Sequence, residues 1–229
     1  MKRTAKTQTT LGPPSKRGHA LRIYLAGPEV FLPNASIIFD QKKEMCAKNG
    51  FEGVCPFDVD ADVSKLPKSK AGIQIGQNNE ELIQSCTIVI ANLTPFRGPS
   101  ADVGTVYECG FARARGLVVF GYTHSTLQYF ARTVAWLKDS LRKGKDGQYR
   151  DANGMAIEDF DLSDNLMIPA GIAGSGGKVI VTKVPKSKWF NNLSGFELCL
   201  KMAKKVPDRN GTKIRRFWDA ERGIFRGGR

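Results

Sequence analysis

Thr87-Ile88-Val89-Ile90-Ala91 is an unbroken apolar run rich in β-branched residues, with no polar alternation. A strand that is apolar on both faces must be covered on both faces, which calls for a parallel sheet with helices on each side. The flanking chain supplies that alternation. Leu21–Ala26 reads as a strand stopped by Gly27-Pro28, and Asn34 to Asn49 as a helix stopped by Gly50. Gly53–Pro56 reads as a weak strand and Asn79–Ser85 as the end of a second helix. Asp102–Arg115 reads as a third helix, stopped by Gly116. Leu117–Phe120 (strand), Thr126–Leu141 (helix), Lys178–Val181 (strand) and Leu193–Lys204 (helix) complete the series. Five strands alternating with helices predict an α/β three-layer sandwich on a five-stranded parallel sheet. Ligands in such sheets collect beyond the carboxyl ends of the strands. That points at Gly27–Phe31, Asn92–Asp102 and Tyr122–His124. The Gly-rich run Gly171–Gly177 reads as a flexible loop without dinucleotide or Walker spacing.

The length of 229 residues suits one large domain with tails, and 41% hydrophobic with 25% charged residues suits a globular chain. No apolar run approaches the roughly 18 residues of a membrane span. The first 20 residues lack the apolar stretch of a secretory signal, although their acid-free, Ser/Thr-bearing composition is compatible with an organelle transit peptide. The net charge of +13 is unevenly spread. Residues 1–20 hold five bases and no acid; residues 201–229 hold ten bases and three acids; residues 21–200 hold 20 bases and 19 acids. The body is therefore near neutral, which suits a small-molecule enzyme; one domain is expected over 21–206, between a basic flexible tail at 1–20 and a basic tail at 207–229, which could give weak attraction to nucleic acid. Lys213–Trp218 interleaves bases with aromatics, the basis of a non-enzymatic, nucleic-acid-binding alternative. Five widely spaced cysteines with no CxxC pair, and two isolated histidines, argue for no metal site, no disulfide framework and a cytoplasmic setting.

The chemistry concentrates in Asn92–Gly110, which passes from the best strand through a Pro/Gly turn into a helix. Asp102 falls at the start of that helix, where the backbone dipole favours a carboxylate. Helical side chains lean toward the N-terminus, so Glu108 lies over Gly104, which leaves room above its carboxylate. Spacing alone supports blander readings. With an apolar stripe of Val103, Val106, Gly110 and Ala114, Glu108 is a solvated surface acid and Asp102 a helix cap.

Three ordered motifs resemble those of the nucleoside 2-deoxyribosyltransferases: Ile23-Tyr24-Leu25-Ala26-Gly27-Pro28 with Phe31; Asp102-Val103-Gly104 with Glu108 and Gly110; and Asp164-Asn165-Leu166-Met167. The resemblance spans residues 21–182. It implies a flavodoxin-like fold and transfer of 2-deoxyribose between purine or pyrimidine bases, for nucleoside salvage, without a cofactor. It makes Glu108 the nucleophile that forms a covalent glutamyl–sugar intermediate, and Tyr24 the hydroxyl that orients it, with a buried strand aromatic as the alternative reading of Tyr24. Asp102 matches the acid that binds the sugar 5′-hydroxyl. Related monophosphate N-glycosidases carry a serine-type residue there, so Asp102 favours nucleosides. Gly27, Phe31, Asp58, Asn79, Gly104, Asn165 and Met167 match substrate-contacting positions. Asn165 is contributed by a neighbouring subunit in the family, which implies a homo-oligomer with shared sites. One departure stands out: Asn79 occupies a place often held by an aspartate that protonates the leaving base, and an amide is no general acid. Asp58 or water could take that part, or Asp58 could be a turn residue. Hydrolysis of deoxynucleosides or their 5′-monophosphates is the alternative activity.

Overall fold

A computed structural model describes residues 20–59, 62–138 and 141–206, and the backbone of two short strands beyond them. The element order is β1 (Leu21–Ala26), α1 (Ala35–Lys48), β2 (Phe51–Val54), α2 (Lys68–Gln84), β3 (Ile88–Asn92), α3 (Val103–Ala114), β4 (Val118–Thr123) and α4 (Tyr129–Leu137). A two-residue-strand hairpin β5 (Arg142–Lys143) and β6 (Tyr149–Arg150) follows, then α5 (Met167–Gly174), β7 (Val179–Val181) and α6 (Ser194–Ala203). β8 (Trp218–Asp219) and β9 (Ile224–Phe225) pair antiparallel. The basic stretches read as tails otherwise lie outside the described residues.

β1, β2, β3, β4 and β7 form one parallel sheet in the order β2-β1-β3-β4-β7. This is the flavodoxin-like order, with its topological switch between β1 and β3. Alternate strand side chains feed two cores. Tyr24, Ala26, Val89, Ala91 and Val119 pack with residues of α2, α3 and α5; Ile23, Leu25, Ile88, Ile90 and Phe120 pack with residues of α1 and α6. β3 is buried along its whole length, as its unbroken apolar run requires. No helix among the described residues is long and apolar enough to cross a membrane.

Four expectations are corrected. The second strand runs 51–54 rather than 53–56, because Pro56 opens a short 3-10 turn, Pro56–Asp58. The fourth helix covers only Tyr129–Leu137 and ends at Lys138 in the left-handed region. Gly171–Gly174 is the end of α5 rather than loop: Ile168 and Ile172 anchor that helix in the core, and packing overrides the poor propensity of its glycines. Gly177 then permits a close approach, since a Cβ there would fall 1.7 Å from the Val119 carbonyl oxygen.

The fourth correction bears on the site. The buried residues of α3 are Thr105, Cys109 and Ala112, whereas Val103 is 85% exposed. The stripe is rotated because a threonine whose hydroxyl is satisfied locally, and a cysteine, serve as core residues. Glu108 adjoins this stripe and is half-buried, not a solvated surface acid.

Candidate active site

The loop from β3 to α3 carries Pro95, Gly98 and Pro99, which bar helix until Asp102. The Phe96 amide donates to the Ser100 carbonyl at 3.0 Å, closing the turn, with Arg97 at φ 54°. Asp164, 2% exposed, grips the far side of the loop. Its carboxylate accepts from Ser100 Oγ at 2.5 Å, the Ala101 amide at 3.0 Å and the Asn165 amide at 2.8 Å. Arg132 Nη2 lies 3.4 Å from that carboxylate, and its guanidinium donates to the carbonyls of Pro99 at 2.6 Å and Ser163 at 2.8 Å. Burial pushes the Asp164 carboxyl up, against its hydrogen bonds and Arg132. A buried pair of this kind sets geometry more than it adds stability.

Held this way, Asp102 caps α3. Its Oδ2 accepts from the Thr105 amide at 2.9 Å and from Thr105 Oγ1 at 3.0 Å. The cap reading is thus correct, and it consumes one oxygen; Oδ1 has no hydrogen bond among the described residues. A Cβ at Gly104 would meet only Asp102 Oδ2, at 3.2 Å, so the space above this turn is otherwise open.

Two turns into α3, Glu108 meets Tyr24. The Tyr24 hydroxyl donates to Glu108 Oε1 at 2.5 Å, linking the middle of β1 to the helix. Tyr24 is fully buried in the α3-side core, so it is both a strand aromatic and the partner of the acid. Burial raises the Glu108 carboxyl to about 7; the Tyr24 hydrogen bond opposes the rise and the nearby Asp102 charge adds to it. The Tyr24 phenol is pushed far up by its own burial and by Glu108, so it stays a donor. The chemical outcome is a carboxylate with one oxygen fixed, no cation paired with it among the described residues, and proton loss near neutrality.

Gly27 opens the first loop above the sheet. A Cβ there would fall 2.0 Å from Glu29 Oε2 and 3.0 Å from Asn92 Cβ, so only glycine allows this approach. Glu29 is fully buried, and its Oε1 accepts from Lys42 Nζ at 2.6 Å, Asn92 Nδ2 at 2.8 Å and the Tyr122 hydroxyl at 3.1 Å. Asn92 Oδ1 accepts from the Thr94 amide at 3.0 Å, and Thr94 Oγ1 accepts from the His124 amide at 3.2 Å. The loops after β1, β3 and β4 are thereby joined.

The other expected residues are distributed around this centre. Phe31 is exposed after β1 and stacks on Phe96 with ring centroids 5.4 Å apart; Arg97 lies over both rings. Asn165 donates to Glu158 at 2.8 Å and accepts from the Met167 amide at 3.1 Å, next to the Asp164 clamp. Met167 begins α5 and is largely exposed. Asp58 has both oxygens engaged, one by Lys43 Nζ and one by the Cys55 amide at 2.9 Å, which is the turn-residue arrangement. Asn79 is half-buried on α2, beside Glu80, which the Tyr107 hydroxyl of α3 contacts. Tyr24, Glu108, Asp102 and Gly104 are thus brought together directly. No hydrogen bond or ion pair ties Asp58 or Asn79 to them among the described residues.

Sequence reasoning missed Glu29, Lys42, Asn92 and Arg132, and took Asp164 only as the first letter of a motif. The available signal was charge in the wrong place: Glu29 inside a Gly-Pro turn and Lys42 on the core side of a helix.

Residues 23–167 match the family model described as nucleoside 2-deoxyribosyltransferase. An uncharacterized protein of Schizosaccharomyces pombe is 36% identical over 169 residues, covering 69% of this chain and 80% of its own length. Among solved structures, a 2-desoxiribosyltransferase from Leishmania mexicana is 28% identical with a TM-score of 0.49, covering 65% of this chain and 85% of that one. A CMP N-glycosidase from Clostridium botulinum is 13% identical with a TM-score of 0.41, covering 80% of this chain and 98% of that one.

Proposed function

The chain belongs to the nucleoside 2-deoxyribosyltransferase family, and on that premise we propose that it transfers 2-deoxyribose between nucleobases through an ester to Glu108. The observation that carries this reading is the Tyr24–Glu108 contact at 2.5 Å. The phenol holds Oε1, so Oε2 is the oxygen aimed at the anomeric carbon. As the C–N bond to the first base breaks, the Glu108 carboxylate forms the C–O bond, through an oxocarbenium-like transition state. The departing base takes up a proton. A second base then attacks the anomeric carbon from the vacated face, the ester breaks, and the configuration is retained overall. Among the described residues no cation pairs with Glu108, which supports nucleophilic work, because an ion pair would lower its reactivity.

Asp102 Oδ1 receives the sugar 5′-hydroxyl, while Oδ2 keeps the helix cap. A carboxylate there repels a 5′-phosphate, which favours nucleosides over nucleotides. Gly27 and Gly104 leave room for the sugar; Phe31, Asn79, Asn165 and Met167 contact the sugar or base. The engaged Asp58 is better suited to shaping the β2 loop than to giving a proton, so water protonates the leaving base. A homo-oligomer with shared sites is supported by exposed apolar side chains on adjoining helices: Ile73 and Ile75 of α2, Val103 and Tyr107 of α3. The five cysteines are all buried, which suits a cytoplasmic protein.

The test is to denature the protein during turnover with a slow 2-fluoro sugar analogue and map the adduct by mass spectrometry. The sugar is expected on the peptide bearing Glu108; an adduct elsewhere overturns the assignment. Incubating a deoxynucleoside with and without a free base separates transfer from hydrolysis. A new nucleoside is expected, whereas free deoxyribose alone in both tubes would make the protein a hydrolase.

A further inference from the structure

The far edge of the sheet carries a second surface that the proposed transfer does not use. β7 pairs only with β4 among the described residues, so its other side is a sheet edge. Its register shows which groups are free. The Gly121 amide donates to the Lys178 carbonyl at 3.0 Å and the Thr182 amide to the Thr123 carbonyl at 2.9 Å. In a parallel ladder of that phase Ile180 directs its backbone groups at β4, and Val179 and Val181 direct theirs outward. Beside this edge runs a groove of about 460 Å³, lined by β7 and by Leu198, Lys201, Met202 and Lys205 of α6 and the turn after it. Its floor is apolar and its rim is basic. Lys178 and Lys205 have no ion-pair partner among the described residues, and Lys201 bridges only Glu197, one helical turn away, at 2.8 Å.

We propose that β7 and the α6 groove bind an extended acidic peptide segment, which adds a sixth strand to the sheet. Outward amides and carbonyls of Val179 and Val181 supply the strand pairing; of the peptide side chains on the α6-facing side, an apolar one enters the groove and flanking carboxylates meet Lys178, Lys201 and Lys205 at its rim. The charge selects this occupant over two others. A second copy of the chain would set these lysines against their own counterparts. The stretch 207–229 carries seven bases against three acids and is repelled in the same way.

The experiment is fluorescence anisotropy of the full-length protein with the labelled heptapeptide Glu-Thr-Val-Thr-Glu-Thr-Glu, which presents Glu and Val on one face, beside its counterpart with Lys for Glu and a version N-methylated at alternate amides. Saturable binding of the acidic peptide is expected, at least about tenfold tighter than either control, and weaker at high salt. The double substitution Lys201→Glu with Lys205→Glu is expected to weaken it by about tenfold while leaving deoxyribosyl transfer unchanged. Val181→Pro removes one outward amide at an edge position that tolerates proline, and is expected to weaken binding as well. Equal binding of the acidic and basic peptides, indifference to N-methylation, or no binding by the full chain overturns the proposal. These outcomes leave the Glu108 assignment untouched.

Discussion

Two glutamates lie near the carboxyl end of the same sheet, one on each side, and among the described residues only one pairs with a cation. Glu29 is fully buried with its Oε1 shared by Lys42, Asn92 and Tyr122. Glu108 is half-buried with a phenol at one oxygen and an aspartate nearby, and its proton affinity is raised to about 7. Burial alone therefore does not mark a reactive carboxylate. A lysine partner makes Glu29 a strut between three loops, whereas Glu108, with no such partner among the described residues, suits the attack on an electrophile proposed for it.

The sharpest way to break this contrast is Glu108→Ala, expected to reduce transfer by about 10⁴-fold in steady-state assays while leaving the circular dichroism spectrum unchanged. Lys42→Met should do the reverse. It strands the Glu29 charge and is expected to cost about 3–5 kcal/mol in urea unfolding, with Glu29→Gln in the same chain recovering part of the loss. If Lys42→Met is silent in stability, the two glutamates are not distinguished by pairing.

Smaller effects sharpen the picture. Transfer should rise with pH and level off above about 7, as Glu108 ionises. Tyr24→Phe removes the hydrogen bond that favours the charged form; it is expected to shift that inflection upward and lower the rate by about 10- to 100-fold. Asp102→Asn removes the neighbouring charge and should shift the inflection downward. Asp102→Ser should improve the relative rate with 5′-monophosphates, and no change in that ratio argues against Asp102 at the 5′ end. The smallest effect concerns stability. Because the folded-state proton affinity of Glu108 exceeds the unfolded one, its favourable contribution is complete below pH 4.5 and is lost as pH rises through about 7. Glu108→Gln should therefore raise Tm by a few degrees at pH 8 and change it little at pH 4.

The alternation of strands and helices was legible because periodicity and punctuation are local. The β3 run, the Gly27-Pro28 stop and the helix after Asp102 all fall where the chain predicts them, within a residue or two. The α3 face was misjudged for an equally local reason: hydropathy ranks Val103 above Thr105, but Asp102 satisfies the Thr105 hydroxyl and frees it for burial. Spacing could not decide between a cap and a ligand role for Asp102 because one carboxylate has two oxygens.

Sequence by itself determined the layered α/β architecture, the ordered motifs and the place of Asp102 and Glu108 on one helix, since all of these rest on neighbours along the chain. Only the tertiary structure decided that Tyr24 reaches Glu108 across 84 positions, that Lys42 neutralises Glu29, and that Arg132 and Asp164 grip the loop before α3. Those are contacts between distant segments, and proton affinity, pairing and reactivity follow from how such segments pack.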